Sequence, residues 1–150
     1  MKAAVDISSA RKSDLSRIRS LLRLVNLPFE GVAGHLDDFL VIREKTKTAV
    51  TLVGCVGLEI YGSSALLRSV AVMPEHQGKG HGKSLTEHVI QYARKKGVKT
   101  LFLLTDTAER FFSKAGFARV DRDAVPPEVK QSVEFTSLCP ISSACMMKII

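Results

Sequence analysis

Residues 77–84, Gln-Gly-Lys-Gly-His-Gly-Lys-Ser, interleave three glycines with two lysines. They follow an apolar, β-branched run, Ala65–Met73, that stops at Pro74, and they precede an amphipathic helical pattern. Strand, glycine loop and helix in that order form a cradle for an anion. The loop's N–H groups and the helix N-terminus all present partial positive charge there. Spacing excludes two familiar phosphate loops. A Walker A loop needs a glycine where Gln77 stands. The dinucleotide fingerprint G-x-G-x-x-G fails because Gly78, Gly80 and Gly82 are evenly spaced. A second feature is Glu59, which interrupts the apolar run Val56–Tyr61, where a charge is costly unless paired or functional. It either serves as a base near the bound ligand, or turns outward to solvent or to Arg68.

The pattern Gln77-x-x-Gly80-x-Gly82 resembles the acyl-coenzyme A pyrophosphate loop of the GNAT superfamily of N-acetyltransferases. The strand ending Ala71-Val72-Met73-Pro74 and the later run Ala108–Phe117 are similar to further signatures of that family, in the same order. The resemblance implies one GNAT domain over residues 1–150. Its α/β (α+β) fold would have a mixed central sheet flanked by helices, with splayed central strands. It also implies acetyl-CoA as cosubstrate. The loop residues Gln77, Gly78, Lys79, Gly80, His81, Gly82 and Lys83 would hold the pyrophosphate, and the backbone of Val70, Ala71 and Val72 would pair with the pantetheine arm. One N–H there would polarise the thioester carbonyl. Thr105, Ala108, Phe111 and Phe112 would complete the cofactor contacts.

The sequence departs from the family pattern at two positions. Phe112 stands where the family carries a tyrosine as general acid, so thiolate would take its proton from another group or a water, with Ser113 or Thr105 as candidates. Arg68 stands where many members carry an acidic residue. That leaves Glu59 as the candidate base, with Ser113 as the other catalytic candidate. A guanidinium pairs bidentately with carboxylates and related oxyanions, so Arg68 and Arg119 are candidates to read an acid group on the substrate. The run Leu103–Phe112 is similar to that of N-acetylglutamate-synthase-like domains. Leu27–Gly31, Leu66–Val72 and Glu134–Ala144 resemble segments of acetyltransferases encoded in arsenic-resistance operons. These resemblances imply a small amino-acid-like amine, glutamate-like or an arsenic- or phosphorus-containing analogue, with Glu30 and Cys139 as further substrate contacts. The alternative from another class is a catalytically weak acyl-CoA-binding module or sensor.

Composition is that of an ordinary globular chain: 150 residues, 45% hydrophobic and 25% charged. The net charge of +7 comes from basic residues scattered along the chain, and aromatics are only 6%, so no stacking platform for nucleic acid is indicated. A basic surface suits a polyanionic cofactor equally well. No apolar run approaches a membrane span, and the early Lys2 and Asp6 argue against a signal peptide. Cys55, Cys139 and Cys145 lack C-x-x-C spacing, and the four histidines lack ligand spacing, so neither a disulfide framework nor a metal site is indicated. A cytoplasmic protein is expected, with a small-molecule partner, no nucleic-acid or membrane partner, and a homodimer compatible with the sequence.

The positioning elements read as β-α-β-β-β-α-β-α-β-β. A strand covers 3–8. A helix capped by Ser13 carries Leu15, Ile18, Leu22 and Val25 on one face and ends at Pro28. Strands follow at 39–43, 49–61 and 65–73, with Gly54 and Gly57 marking bulges or close backbone approach. The helix after the glycine loop is expected to pack through Leu85, His88, Val89, Tyr92 and Ala93 and to end at Gly97. A buried strand covers 100–104, and Asp106 with Glu109 caps a helix that turns Phe111 and Phe112 inward. Strands at 117–120 and 144–149 close the chain, with a further helical stretch over 128–136.

Overall fold

The structure is a computed structural model that describes residues 4–138 and 143–150. Among the described residues, seven strands form one mixed sheet in the order β1-β2-β3-β4-β5-β7-β6. They are β1 (Ala4–Ser9), β2 (Phe39–Lys45), β3 (Val50–Tyr61), β4 (Ser64–Val72), β5 (Thr100–Thr105), β6 (Ala118–Arg119) and β7 (Ala144–Ile149). The helices are α1 (Leu15–Leu24), α2 (Val32–His35), α3 (His81–Lys95), α4 (Glu109–Lys114) and α5 (Pro127–Lys130). No helix among the described residues is long and apolar enough to cross a membrane.

The chain divides into two compact units, Met1–Gly57 with Ser69–Val89, and Leu58–Arg68 with Ile90–Ile150. In the first, β1, β2 and the start of β3 form an antiparallel meander. Its core gathers Ile18, Leu21 and Leu22 of α1, Val32 of α2, and Phe39, Val41, Leu52, Cys55 and Ala71 of the strands. Val53 is the extra residue of a bulge on β3, because Ile42 faces Gly54 while Arg43 faces Leu52. The freed Val53 carbonyl accepts a hydrogen bond from the Met73 N–H at 2.8 Å, which fixes the end of β4. Both glycines of β3 are sites of close approach. A Cβ on Gly57 would lie 2.2 Å from the Phe39 ring, and one on Gly54 3.1 Å from the Ala71 carbonyl oxygen.

In the second unit β5 is parallel to β4 and antiparallel to β7. The β4–β5 ladder joins Ser64–Leu66 to Thr100–Phe102 and ends there, whereas β5 pairs with β7 through Thr105. The core here is Leu66, Phe102, Val125, Val129 and Cys145.

Several local expectations are corrected. Ser13 does not cap α1. It sits in a 3-10 turn, Lys12–Asp14, and the buried Asp14 accepts hydrogen bonds from the Arg11 N–H and the Arg43 guanidinium. Pro28 does not end α1, which closes at Leu24, with Asn26 at φ 60° taking the left-handed turn. On α3 the buried residues beside Leu85, Val89 and Ala93 are Thr86 and Ile90. His88 is exposed, its Nδ1 2.8 Å from the Ser84 carbonyl oxygen. Asp106 does not cap α4. Thr105 Oγ1 accepts from the Ala108 N–H at 3.0 Å, and Asp106 instead accepts from the Ser143 hydroxyl. Phe111 is exposed rather than inward.

Candidate active site

The loop expected to hold a pyrophosphate is built from both of its ends. At one end Gln77 Nε2 donates to the Val72 carbonyl at 3.0 Å, pinning the loop to the last residue of β4. Pro74–His76 forms a 3-10 turn, and His76 Nδ1 lies 3.3 Å from Glu44 Oε2. At the other end the Ser84 N–H bonds to the Gly80 carbonyl at 3.0 Å and Thr86 Oγ1 donates to the Gly82 carbonyl at 2.8 Å, winding the first turn of α3. Between them Gly78 and Gly80 adopt φ of 79° and 85°, left-handed values that favour glycine. A Cβ at either would meet nothing within 4 Å, so the glycines serve backbone shape and open access rather than internal packing. The opening N–H groups of any helix lack intrahelical partners, and here they belong to residues from His81 onward. Lys79 and Lys83 are exposed and His81 half-buried. A depression of about 390 Å³ beside the loop is lined by Asp6, Ile7, Ile42, His81, Ser84 and His88.

Leading into this loop, β4 contains a conformation that the sequence does not announce. Ser69 is buried with φ 63°, rare for a residue with a side chain, and its carbonyl accepts from Cys55 Sγ at 3.2 Å. Such outliers persist where the surroundings over-determine them, and they cluster at functional sites. Val70, Ala71 and Val72 follow directly; Ala71 is buried and the two valines are half-buried.

Arg68, the residue before Ser69, is the centre of a buried charged cluster. Its Nη1 donates to Glu59 Oε2 at 2.7 Å and its Nε lies 3.2 Å from Glu134 Oε2, with the guanidinium fully out of solvent. Tyr61 donates its hydroxyl to Glu59 Oε1 at 2.5 Å, and Ser132 also hydrogen-bonds Glu59. Burial by itself would raise the Glu59 carboxyl. Hydrogen bonds from Tyr61, Arg68 and Ser132, with the Arg68 charge, outweigh it and hold Glu59 below the usual range. Tyr61 is pushed upward by burial and by its bond to Glu59. Glu134 behaves differently: burial raises it, Arg68 opposes, Glu59 adds repulsion, and the result is about 7.

The remaining candidates lie as follows. Arg119 is exposed and forms a bidentate pair with Glu109, at 2.7 and 3.1 Å. Ser113 is exposed on α4, and Glu30 is exposed in the turn before α2. Phe112 is buried and meets Phe111 and Phe117 edge to face at 5.0 and 5.8 Å. Thr105 and Ala108 are joined by the hydrogen bond that opens α4. Cys139 lies outside the described residues. No cluster of potential metal ligands occurs among the described residues.

Sequence reading missed Glu134, Tyr61, Ser132 and Ser69. Tyr61 had a signal, because residues two apart on a strand share a face and Glu59 is the other.

A mixed sheet whose parallel β4–β5 ladder ends early, with a glycine loop between β4 and a long helix, defines a class of fold. The sequence profile of the acetyltransferase (GNAT) domain matches residues 35–119, more than half of the chain, and the chain belongs to that family. Among curated relatives, the amino-acid acetyltransferase of Escherichia coli K12 is 28% identical over 140 residues, covering 87% of this chain and 31% of that protein. The amino-acid acetyltransferase of Neisseria meningitidis serogroup A is 27% identical over 134 residues, covering 83% and 30%. This chain therefore spans under a third of the length of either relative. Among solved structures, N-acetylglutamate synthase of Neisseria gonorrhoeae complexed with coenzyme A and N-acetyl-glutamate superposes with a TM-score of 0.80 at 23% identity. That match covers 99% of this chain and 36% of the other. Rv2747 of Mycobacterium tuberculosis, solved in complex with CoA, gives a TM-score of 0.78 at 23% identity, covering 97% and 99%. These likenesses bear on the fold.

Proposed function

We propose that this chain transfers an acetyl group from acetyl-CoA to the amine of a small amino-acid-like substrate, by direct attack within a ternary complex. The observation that carries the reading is the Gln77–Gly82 loop, with its two left-handed glycines and its anchor to Val72. Backbone amides of the loop and of the α3 N-terminus bind the pyrophosphate, assisted by Lys79 and Lys83. The backbone of Val70–Val72 takes the pantetheine arm and offers an N–H to the thioester oxygen. An amino acid as acceptor is supported by the names of the curated relatives and by the binding of N-acetyl-glutamate in the gonococcal synthase. A glutamate-like acid is the first substrate to test, with phosphorus- and arsenic-containing amino acids as its analogues.

The test is release of free thiol from acetyl-CoA in the presence of a panel of such amines, with the acetylated product confirmed by mass. Turnover with at least one amino acid is expected. Binding of acetyl-CoA with no turnover across the panel would favour the acyl-CoA-binding module instead. In the same assay Gly80→Val is expected to raise KM for acetyl-CoA about 10- to 100-fold. A β-branched residue forced to φ 85° costs on the order of 1–3 kcal/mol, so the loop leaves its binding shape. A Gly80→Val protein with unchanged KM would remove the loop from the account.

A further inference from the structure

We infer that Glu44 and His76 form a clip that pre-shapes the coenzyme loop, acting as positioning residues for the bound cofactor. This rests on the acetyl-CoA reading above and adds two residues outside the Gln77–Lys83 loop. Both residues, and every group that the clip holds, belong to the first compact unit.

The pairing follows from strand alternation. Ile42 of β2 and Leu85 of α3 lie 3.7 and 3.1 Å from where a Cβ on Gly54 would stand, so α3 covers this face of β2. Residues two apart on a strand share a face, which puts Glu44 on the same side as Ile42. There it meets His76, the last residue of the turn after β4, whose Nδ1 is 3.3 Å from Glu44 Oε2. That Nδ1 is buried and makes no hydrogen bond of good geometry among the described residues, so the Glu44 carboxylate is the group that offsets its burial. An Nδ1–H proton serves the carboxylate whether the ring is neutral or charged. With side chains 19% and 23% exposed, the pair is better shielded than an ordinary surface ion pair. His76 also faces the far end of the loop. Its ring centroid is 6.3 Å from that of His81, the first residue of α3.

The loop itself shows why a clip matters. Its entry is fixed by the Met73 N–H on the Val53 carbonyl and the His76 N–H on the Met73 carbonyl, both at 2.8 Å, and by Gln77 on Val72. Past Gln77, a Cβ on Gly78 or Gly80 would meet nothing within 4 Å, so no packing holds the two left-handed turns. A loop that a ligand must order gives up conformational freedom on binding, and affinity falls by that amount. Through His76 the entry of the loop is tied to β2 and set against its exit before any ligand arrives. Neither side chain has to touch the coenzyme, so the clip acts on affinity and not on the chemical step.

The experiment is a double-mutant cycle on the full chain, with Glu44→Ala, His76→Ala and both together, and Glu44→Gln beside them. Circular dichroism checks folding, calorimetry gives the dissociation constant of CoA, and thiol release with glutamate as acceptor gives KM and kcat. Each alanine variant is expected to weaken CoA binding and raise KM for acetyl-CoA about 3- to 10-fold, with kcat within about twofold of wild type. The double variant should lose no more than the larger single loss. Glu44→Gln, whose amide oxygen still accepts from the imidazole, should lose less than Glu44→Ala. An alanine variant that binds CoA within about twofold of wild type, losses that multiply in the double variant, or a fall in kcat as large as the rise in KM overturns the clip. No CoA heat from wild type defeats the loop reading instead. Amide hydrogen exchange of the ligand-free protein then decides on the clip. Faster exchange over residues 76–84 in both alanine variants, with α1 unchanged, supports it, and unchanged exchange over 76–84 overturns it.

Discussion

Arg68→Met is expected to lower folding stability by about 3–5 kcal/mol at pH 8. Removing one partner of a buried ion pair strands the other without compensation. Here two buried carboxyls lose the guanidinium: Glu59, 1% exposed, and Glu134, 4% exposed. The loss should shrink as the pH is lowered, and the sign follows from the two carboxyls. In wild type the folded-state value of Glu134 is raised from 4.5 to about 7. The native state therefore binds more protons than the unfolded chain between those values, and stability from this group is full below pH 4.5 and declines as pH rises through 7. Glu59 acts oppositely. Its lowered value gives stability above the ordinary carboxylate range that fades as pH falls. Without Arg68 both carboxyls are desolvated with no guanidinium, so both shift upward and the penalty grows with pH. Urea unfolding at pH 5.5 and 8 measures this. A penalty equal at the two pH values would show that the guanidinium does not neutralise the pair.

Phe112→Ala is the second large effect, at about 3–5 kcal/mol, because a buried aromatic leaves both a lost transfer energy and a cavity. Phe112 is 7% exposed and packs edge to face with Phe111 and Phe117. Phe111→Ala is the internal control. Its ring is 37% exposed, so the expected loss is under about 1 kcal/mol. Thermal or urea unfolding of the two variants separates them. Equal losses would mean that the Phe112 ring adds no more to the core than its exposed neighbour. Position 112 is here an apolar core position, which suits a phenylalanine.

The legibility of the sequence divides along physical lines. Strand periodicity, the Pro74 stop, the glycine loop and the Gly97 cap are local, and each appears in the structure near where its residues place it. The pairing of β5 with β4 on one side and β7 on the other is a long-range outcome that no local pattern encodes; the family resemblance implied only a mixed sheet with splayed central strands. Residues 134 and 68 are 66 positions apart, and neither hydrophobic period nor capping chemistry links them, so the charged cluster was only half visible, as Glu59 beside Arg68. Ser69 hid for another reason. Left-handed backbone is normally flagged by glycine or asparagine, and a serine held there by its surroundings carries no such mark. Asn26, by contrast, is the residue type that turn chemistry expects, but Pro28 placed the helix end beyond its close at Leu24.

The proposed function requires that the loop between β4 and α3 grip a diphosphate through main-chain amides. Isothermal titration of coenzyme A into the folded wild-type protein, with Gly80→Val beside it, tests it most directly. A saturable one-to-one heat for wild type, weakened at least tenfold in the valine variant, is the predicted result. No heat from wild type, or equal affinity in both proteins, would contradict it.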